Sequence, residues 1–211
     1  MAVVTVPAQA RLLLATGNMH KLGELRAILC GSDGVAGLRE DEVIASRDLG
    51  LPEPVEDGVT FEENALIKAR ALAAATSRAA IADDSGLAVN VLGGAPGIFS
   101  ARWSGQHGDD QANLDLLLAQ LADVPDAHRQ AAFVCAAALV LPDGTEIVRL
   151  GRLEGTLLRE PRGAGGFGYD PILRPAGETR SCAELSAAEK NAISHRGQAF
   201  RLLAEDIARV L

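Results

Sequence analysis

The chain has 211 residues, 48% hydrophobic and 23% charged, with a formal net charge of −8. That length and balance fit one sizeable soluble domain and exclude two independent large ones. The negative charge excludes a protein that coats nucleic acid or lies on a membrane surface, since either partner demands a basic face.

Residues 1–10 show no basic stretch leading into an apolar core, so no signal peptide is read. They are expected to form a flexible N-terminal extension to a single bilobed domain. Residues 11–15 read as a short buried strand, and Thr16-Gly17-Asn18 turns the chain into a helix over residues 19–29, closed by Gly31. A strand, a glycine turn and a helix start make an anion site, because unpaired N–H groups point outward there. Residues 43–45 suggest a second strand, and residues 46–58 an acidic, proline-rich loop. Thr60 with Glu63 predicts a capping box that opens a helix to about residue 75. Residues 79–82 read as a strand that delivers Asp83-Asp84-Ser85-Gly86 at its end. That motif suits carboxylates that hold Mg²⁺ or position water, and it suits a plain turn equally well. Glu53, Glu56 and Asp57 offer a second acidic group, whose bland reading is solvated loop charge.

A glycine- and proline-rich loop over residues 92–108 leads into a helix over residues 109–121. Residues 131–141 and 146–158 are strand-like, and Pro142-Asp143-Gly144-Thr145 is hairpin-turn chemistry. The apolar run at residues 131–141 is far too short to span a bilayer. Residues 163–170 form a glycine-rich loop. Ser186 and Glu189 make a further capping box before a short helix that carries Lys190, and Ser194 precedes a last helix over about residues 195–210. Strands mixed with helices, one hairpin among them, predict an α/β fold with a mixed sheet. Cys30, Cys135 and Cys182 form no paired motif, which points away from zinc ribbons and disulfides and toward a reducing cytoplasm.

Only three lysines stand against seventeen arginines, and each lies in a segment of chemical character. Lys21 ends Thr16-Gly17-Asn18-Met19-His20-Lys21, Lys68 lies in the capped helix, and Lys190 precedes Ser194-His195-Arg196. An ammonium is a compact point charge able to follow a phosphate, whereas guanidinium prefers fixed bidentate geometry. A polyphosphate site is therefore expected. Of seven aromatic residues, Phe61, Phe99, Trp103, Phe167 and Tyr169 lie in or beside these segments. Phe167, flanked by glycines, suits close approach of a ring to a base. His195 and Arg196 open a helix, where an acceptor or anion is favoured.

Six motifs occur together and in order: Thr16-Gly17-Asn18-x-x-Lys21; Phe61-x-Glu63-Asn64-Ala65-x-x-Lys68-Ala69; Ala82-Asp83-Asp84-Ser85-Gly86-Leu87; Gly94-x-Pro96-Gly97-x-x-Ser100-Ala101-Arg102; Gly166-Phe167-Gly168-Tyr169-Asp170-Pro171; and Ser194-His195-Arg196-Gly197. In these the chain resembles the noncanonical purine nucleoside triphosphate pyrophosphatases, the inosine/xanthosine triphosphatase or Ham1-like family, over nearly its whole length after residue 11. The resemblance implies an α/β fold with a long mixed sheet, flanking helices and two lobes around a central active-site cleft. It also implies a cytoplasmic homodimer that uses Mg²⁺, and hydrolysis of ITP, dITP and XTP to the monophosphate and pyrophosphate. Carried over by motif, Thr16, Gly17, Asn18, Met19, His20 and Lys21 would hold the triphosphate, and Lys21 and Lys68 would offset its charge. Asp84 would accept a proton and bind metal with Glu56, and Ser85 would touch substrate. Phe167, Gly168, Tyr169, Asp170, Lys190, His195 and Arg196 would line the nucleoside. Phe99, Trp103 and Leu173 depart from the family's usual aromatics near the base loop.

Base choice is then expected to rest on donors, from His195, Arg196 and the amides of residues 167–170, that meet a six-keto oxygen. A rival reading, a sensor that binds nucleotide without turnover, sits poorly with Asp84, Glu56 and all three lysines. A phosphoryl transferase of the Gly-x-x-x-x-Gly-Lys-Ser/Thr type lacks its loop in this sequence.

Overall fold

The structure, a computed structural model, describes residues 4–16 and 19–211. Gly17 and Asn18, both expected to bind triphosphate, lie outside the described residues, as do the side chains of Met19 and His20. Six strands, β1 (Leu12–Ala15), β2 (Val43–Ala45), β3 (Ala80–Val89), β4 (Gln130–Val140), β5 (Glu146–Leu157) and β6 (Leu173–Pro175), form one open sheet in the order β2-β1-β3-β4-β5-β6. β1 runs parallel to both β2 and β3, while β5 and β6 are antiparallel, so the sheet is mixed as expected. The helices are α1 (Met19–Leu29), α2 (Phe61–Thr76), α3 (Asp110–Gln120), α4 (Ala187–Ile193) and α5 (His195–Ile207). No helix among the described residues is long and apolar enough to cross a membrane.

Two compact units share the chain. The first comprises Met1–Asp84, Cys135–Gly151 and Arg196–Leu211; the second comprises Ser85–Val134 and Arg152–His195. In the first unit the sheet separates two apolar layers by strict alternation along each strand. Leu12, Leu14, Ile81, Cys135 and Ala137 face α1 and α5, which supply Leu22, Leu25, Phe200 and Leu203. Leu13, Ala15, Ala80, Ala82, Ala136 and Ala138 face α2, which answers with Ala65, Ala69 and Leu72. Alanine on both sides of that second contact lets α2 lie close to the sheet, because interaxial distance follows side-chain size. Ala10 is buried and Val6 packs against this layer.

The second unit has its own core of Leu87, Val89, Leu114, Leu117, Phe133, Leu157, Ile172 and others. Arg129, only 1% exposed, sits inside this unit and donates to the carbonyls of Leu121, Leu157 and Leu158 at 2.7–3.0 Å. Its guanidinium thereby ties the end of α3 to the end of β5 through backbone acceptors, which are the partners a buried cation needs.

Three local expectations change. The strand expected over residues 79–82 continues through the acidic motif to Val89, so Asp83-Asp84-Ser85-Gly86 lies within β3 and not in a turn at its end. Thr60 does cap α2 by accepting from the Glu63 N–H, but the Glu63 carboxylate accepts from Val59 and not from Thr60, so the box is only half closed. The loop expected over residues 46–58 opens with a turn of 3₁₀ helix at Ser46–Leu49. The box at Ser186 and Glu189 is complete.

Candidate active site

Neighbouring residues of a strand point to opposite faces. The acidic pair inside β3 is therefore divided: Asp83 shares the face of Ile81, against α1 and α5, and Asp84 shares that of Ala82, against α2. Each helix layer carries the cations that meet its own aspartate.

On the first face Asp83 is 1% exposed, with Lys21 Nζ of α1 at 3.0 Å and Arg196 Nε of α5 at 3.5 Å. Arg196 also reaches Glu24 of α1 at 3.3 Å. Burial pushes the Asp83 carboxyl up, but the charges of Lys21, Arg196 and Lys68 outweigh burial and hold it well below the usual carboxylate range. On the second face Lys68 Nζ lies 3.2 Å from Glu56 Oε1 and 3.7 Å from Asp84 Oδ1. Asn64, one turn earlier on α2, donates from Nδ2 to Asp84 Oδ2 at 3.1 Å. Here burial raises the Asp84 carboxyl, Lys68 opposes it and Glu56 adds to it, so the net shift is upward. Burial pulls the Lys68 ammonium down, but the charges of Asp83, Asp84 and Glu56 outweigh burial, so the net shift is upward. Glu56 therefore holds a specific contact and is more than solvated loop charge.

Two carboxylates share one ammonium on this second face, so the trio carries one negative charge in excess. Among the described residues no group of three or more His, Cys, Asp or Glu side chains is placed to hold a metal unaided. Glu56 and Asp84 nevertheless fit Mg²⁺, which takes one or two protein carboxylates and completes its shell with water and phosphate oxygens. An all-oxygen donor pair without imidazole or thiolate suits that hard cation better than zinc. Beside Lys68, a largely apolar pocket of about 250 Å³ opens at the carboxyl ends of β1 and β2, lined by Ala15, Ser46, Leu51, Pro54 and Leu72 among others. Ligands of open α/β sheets settle at such strand ends. Thr16, directly after β1, is 8% exposed, and Ser85 is half-buried on β3.

The residues expected around the nucleoside gather in the second unit, apart from Arg196. Asp170, 2% exposed, accepts at Oδ2 from Lys190 Nζ at 2.7 Å and from the Phe167 N–H at 2.8 Å. A Cβ on Gly166, whose φ is +72°, would stand 2.1 Å from that same oxygen, which is why glycine is needed there. The Lys190 ammonium lies 5.2 Å from the centre of the Phe167 ring. Tyr169 is buried and donates from its hydroxyl to the Ser100 carbonyl at 2.9 Å. His195 stacks on Phe133 with centroids 5.0 Å apart. Three of the four loop amides are bonded within the protein: Phe167 donates to Asp170, Gly168 to Asp110 at 2.9 Å and Asp170 to the Phe167 carbonyl at 3.2 Å. A short loop that turns back on its own carboxylate uses its donors internally. Asn64, Glu24 and Asp110 were passed over in the sequence; for Asn64 the signal was present, since it sits one helical turn before Lys68.

Known proteins resemble this chain along nearly its whole length. The profile described as the Ham1 family matches residues 12–206. A protein of Streptomyces avermitilis called dITP/XTP pyrophosphatase is 65% identical over 201 residues, covering 95% of this chain and 98% of the relative. The solved structure of a HAM1 protein from Coxiella burnetii superposes with a TM-score of 0.83 at 39% identity, covering 95% of this chain and 99% of that one. A nucleoside-triphosphatase / dITP/XTP pyrophosphatase from Mycobacterium abscessus gives a TM-score of 0.73 at 51% identity, covering 92% and 97%. With a family profile matching residues 12–206 and relatives and solved structures that match nearly end to end, the chain belongs to the Ham1 family.

Proposed function

We propose that this protein hydrolyses ITP, dITP and XTP to the nucleoside monophosphate and pyrophosphate, and so keeps deaminated purines out of DNA and RNA. The observation that carries the proposal is the meeting of Glu56 and Asp84 at Lys68, in a chain whose close relatives are named dITP/XTP pyrophosphatase. A pure binding module has little use for a buried carboxylate joined by a second one at a phosphate-seeking cation, because burying charge is costly.

In the proposed reaction a water oxygen bonds to the α-phosphorus while the bond from that phosphorus to the oxygen bridging it to the β-phosphorus breaks. Asp84 takes the proton from the water; its raised pKa makes it a better acceptor near neutral pH than an ordinary aspartate. Lys68 and Lys21, with Thr16 to His20, hold the phosphates and balance the charge that gathers on the departing pyrophosphate. Glu56 and Asp84 would hold Mg²⁺, which when bound neutralises phosphate charge and makes water more acidic. Lys21 is oriented for its task by Asp83, itself fixed by Arg196.

The nucleoside is assigned to Phe167, Gly168, Tyr169, Asp170, Lys190, His195 and Arg196, with Ser85 also touching substrate. Because the loop amides serve Asp170 and Asp110, donors to the six-keto oxygen are assigned to side chains. Adenine would oppose such donors with an amino donor of its own, at a cost of about 1–3 kcal/mol for each group left unpaired. The protein is further proposed to act as a cytoplasmic homodimer; its three free thiols suit a reducing compartment. The deciding experiment is release of pyrophosphate from ITP, XTP, GTP and ATP with Mg²⁺. Turnover of ITP and XTP above GTP and ATP supports the proposal. Binding without release would make the protein a sensor.

A further inference from the structure

We propose that Asn64 is a positioning residue that fastens the Glu56 segment to Asp84 and thereby sets the spacing of the two carboxylates. The inference rests on the reading of Glu56 and Asp84 as the metal pair. Glu56 lies in a stretch without regular structure, residues 51–58, flanked by the exposed Val55 and Val59. Nothing in its own backbone pattern fixes where its carboxylate points, so the position must be imposed from outside.

The first turn of α2 imposes it. The Val59 N–H donates to Glu63 Oε2 at 2.7 Å, and the Gly58 N–H donates to Asn64 Oδ1 at 2.9 Å. Asn64 then turns its other end, Nδ2, to Asp84 Oδ2. A carboxamide is the side chain that offers an acceptor and a donor from one small planar group. Here the acceptor takes the loop and the donor takes the strand. The residue is 1% exposed, so neither bond is shared with bulk water. Gly58 fits this contact without spare room: a Cβ there would stand 2.7 Å from Asn64 Oδ1 and 2.7 Å from the Glu63 Cβ. Glu56 is only two residues away, so a shift at Gly58 carries its carboxylate off Lys68.

Two substitutions cut the bridge at different ends. Asn64→Asp keeps an acceptor for the Gly58 N–H but faces Asp84 with a second carboxylate in place of a donor. Gly58→Ala leaves the Asn64–Asp84 bond in place and pushes the loop away; lying in a partly exposed loop, it spares the core. Each is expected to raise the half-saturating Mg²⁺ concentration for pyrophosphate release by about ten- to a hundredfold, the usual scale when a group that orients a metal ligand is lost. The KM for nucleotide at saturating Mg²⁺ should move much less. Two readouts need no turnover. Amide exchange at Gly58 should quicken in Gly58→Ala and stay slow in Asn64→Asp, and Mn²⁺ binding followed by electron paramagnetic resonance should weaken in both. Glu56→Gln is the benchmark. If it loses Mn²⁺ while Gly58→Ala and Asn64→Asp titrate like wild type, the positioning role is wrong and the metal reading stands. If Glu56→Gln itself binds Mn²⁺ like wild type, the metal reading fails and the positioning role with it.

Discussion

On one face of β3, Asp83 meets two cations and is held charged; on the other, Asp84 shares one cation with a second carboxylate and its charge is resisted. The two residues are adjacent, identical in type and both buried, yet they differ in what surrounds them. The first face satisfies its aspartate, as a scaffold does. The second sets two carboxylates about one ammonium, a state that favours an incoming cation and leaves the Asp84 carboxyl above its ordinary range. Stability and activity should therefore separate between neighbouring positions.

The largest effect is expected at Asp83. Asp83→Asn leaves Lys21 and Arg196 without their shared anion, and breaking such a buried pair costs about 3–5 kcal/mol. Urea unfolding at pH 7 measures it. Because the folded Asp83 carboxyl is depressed, its contribution is complete above the ordinary aspartate range and is lost as pH falls through that range and below. The gap between wild type and variant should accordingly close in acid. A variant as stable as wild type at neutral pH breaks the comparison at its first face.

Asp84→Asn should do the reverse. Turnover of ITP is expected to fall at least about a hundredfold, the scale of losing such a base or ligand. The raised carboxyl means that its charge weakens the fold as pH climbs above the ordinary aspartate value, so the unfolding midpoint at pH 7 should hold or rise. Near wild-type hydrolysis with Mg²⁺ would remove Asp84 from the chemistry. The ranking also requires that folded Asp83→Asn lose less activity than Asp84→Asn.

The lysines sharpen the contrast. Lys68→Arg and Lys21→Arg keep the charge but replace a point donor by a larger planar fork. Both should stay folded and lose up to about a hundredfold in kcat, the scale of a small misplacement at a reacting centre. Full activity in either would mean that charge alone mattered. Arg196→Ala should lower kcat/KM for ITP by about ten- to a hundredfold and spare ATP, if one charged hydrogen bond to the base is lost. Equal losses would leave Arg196 only its place beside Asp83 and Glu24 and move base choice to other residues. Smallest of all, Arg70→Ala removes a 2.6 Å pair with Glu146 that is open to solvent and should cost under about 1 kcal/mol. That control shows burial, and not bond length, setting the scale.

Much of this was legible in the sequence because it was written in short, ordered motifs: the strand before Thr16 and the helix that carries Lys21, the capped helix with Lys68, and the Asp83–Asp84 pair. The extent of β3 was not. Asp-Asp-Ser-Gly has the composition of a turn, and only cations brought by α1, α2 and α5 let it remain strand. Once the strand was known, its period assigned the two aspartates to opposite faces. β6 was hidden by its three-residue length and by Pro175. The use of the Phe167 and Gly168 amides depended on Asp170 and on Asp110, the latter 58 residues away, and no local pattern reveals such a partner. Arg129 left no signal either, since its partners are carbonyls without side-chain identity.

The scarcity of lysine has one further consequence. Lys21, Lys68 and Lys190 carry all the ε-amines of the chain, and each is paired in a different cluster with only 10–16% of its side chain exposed. Apart from the terminal α-amine, an amine-acylating reagent thus has three peptides to mark, one for each lysine. A ligand that settles at one of them changes the yield of that peptide and leaves the other two as internal standards. Mass spectrometry of the acylated wild-type protein would map where a nucleotide lies, with no engineered residue.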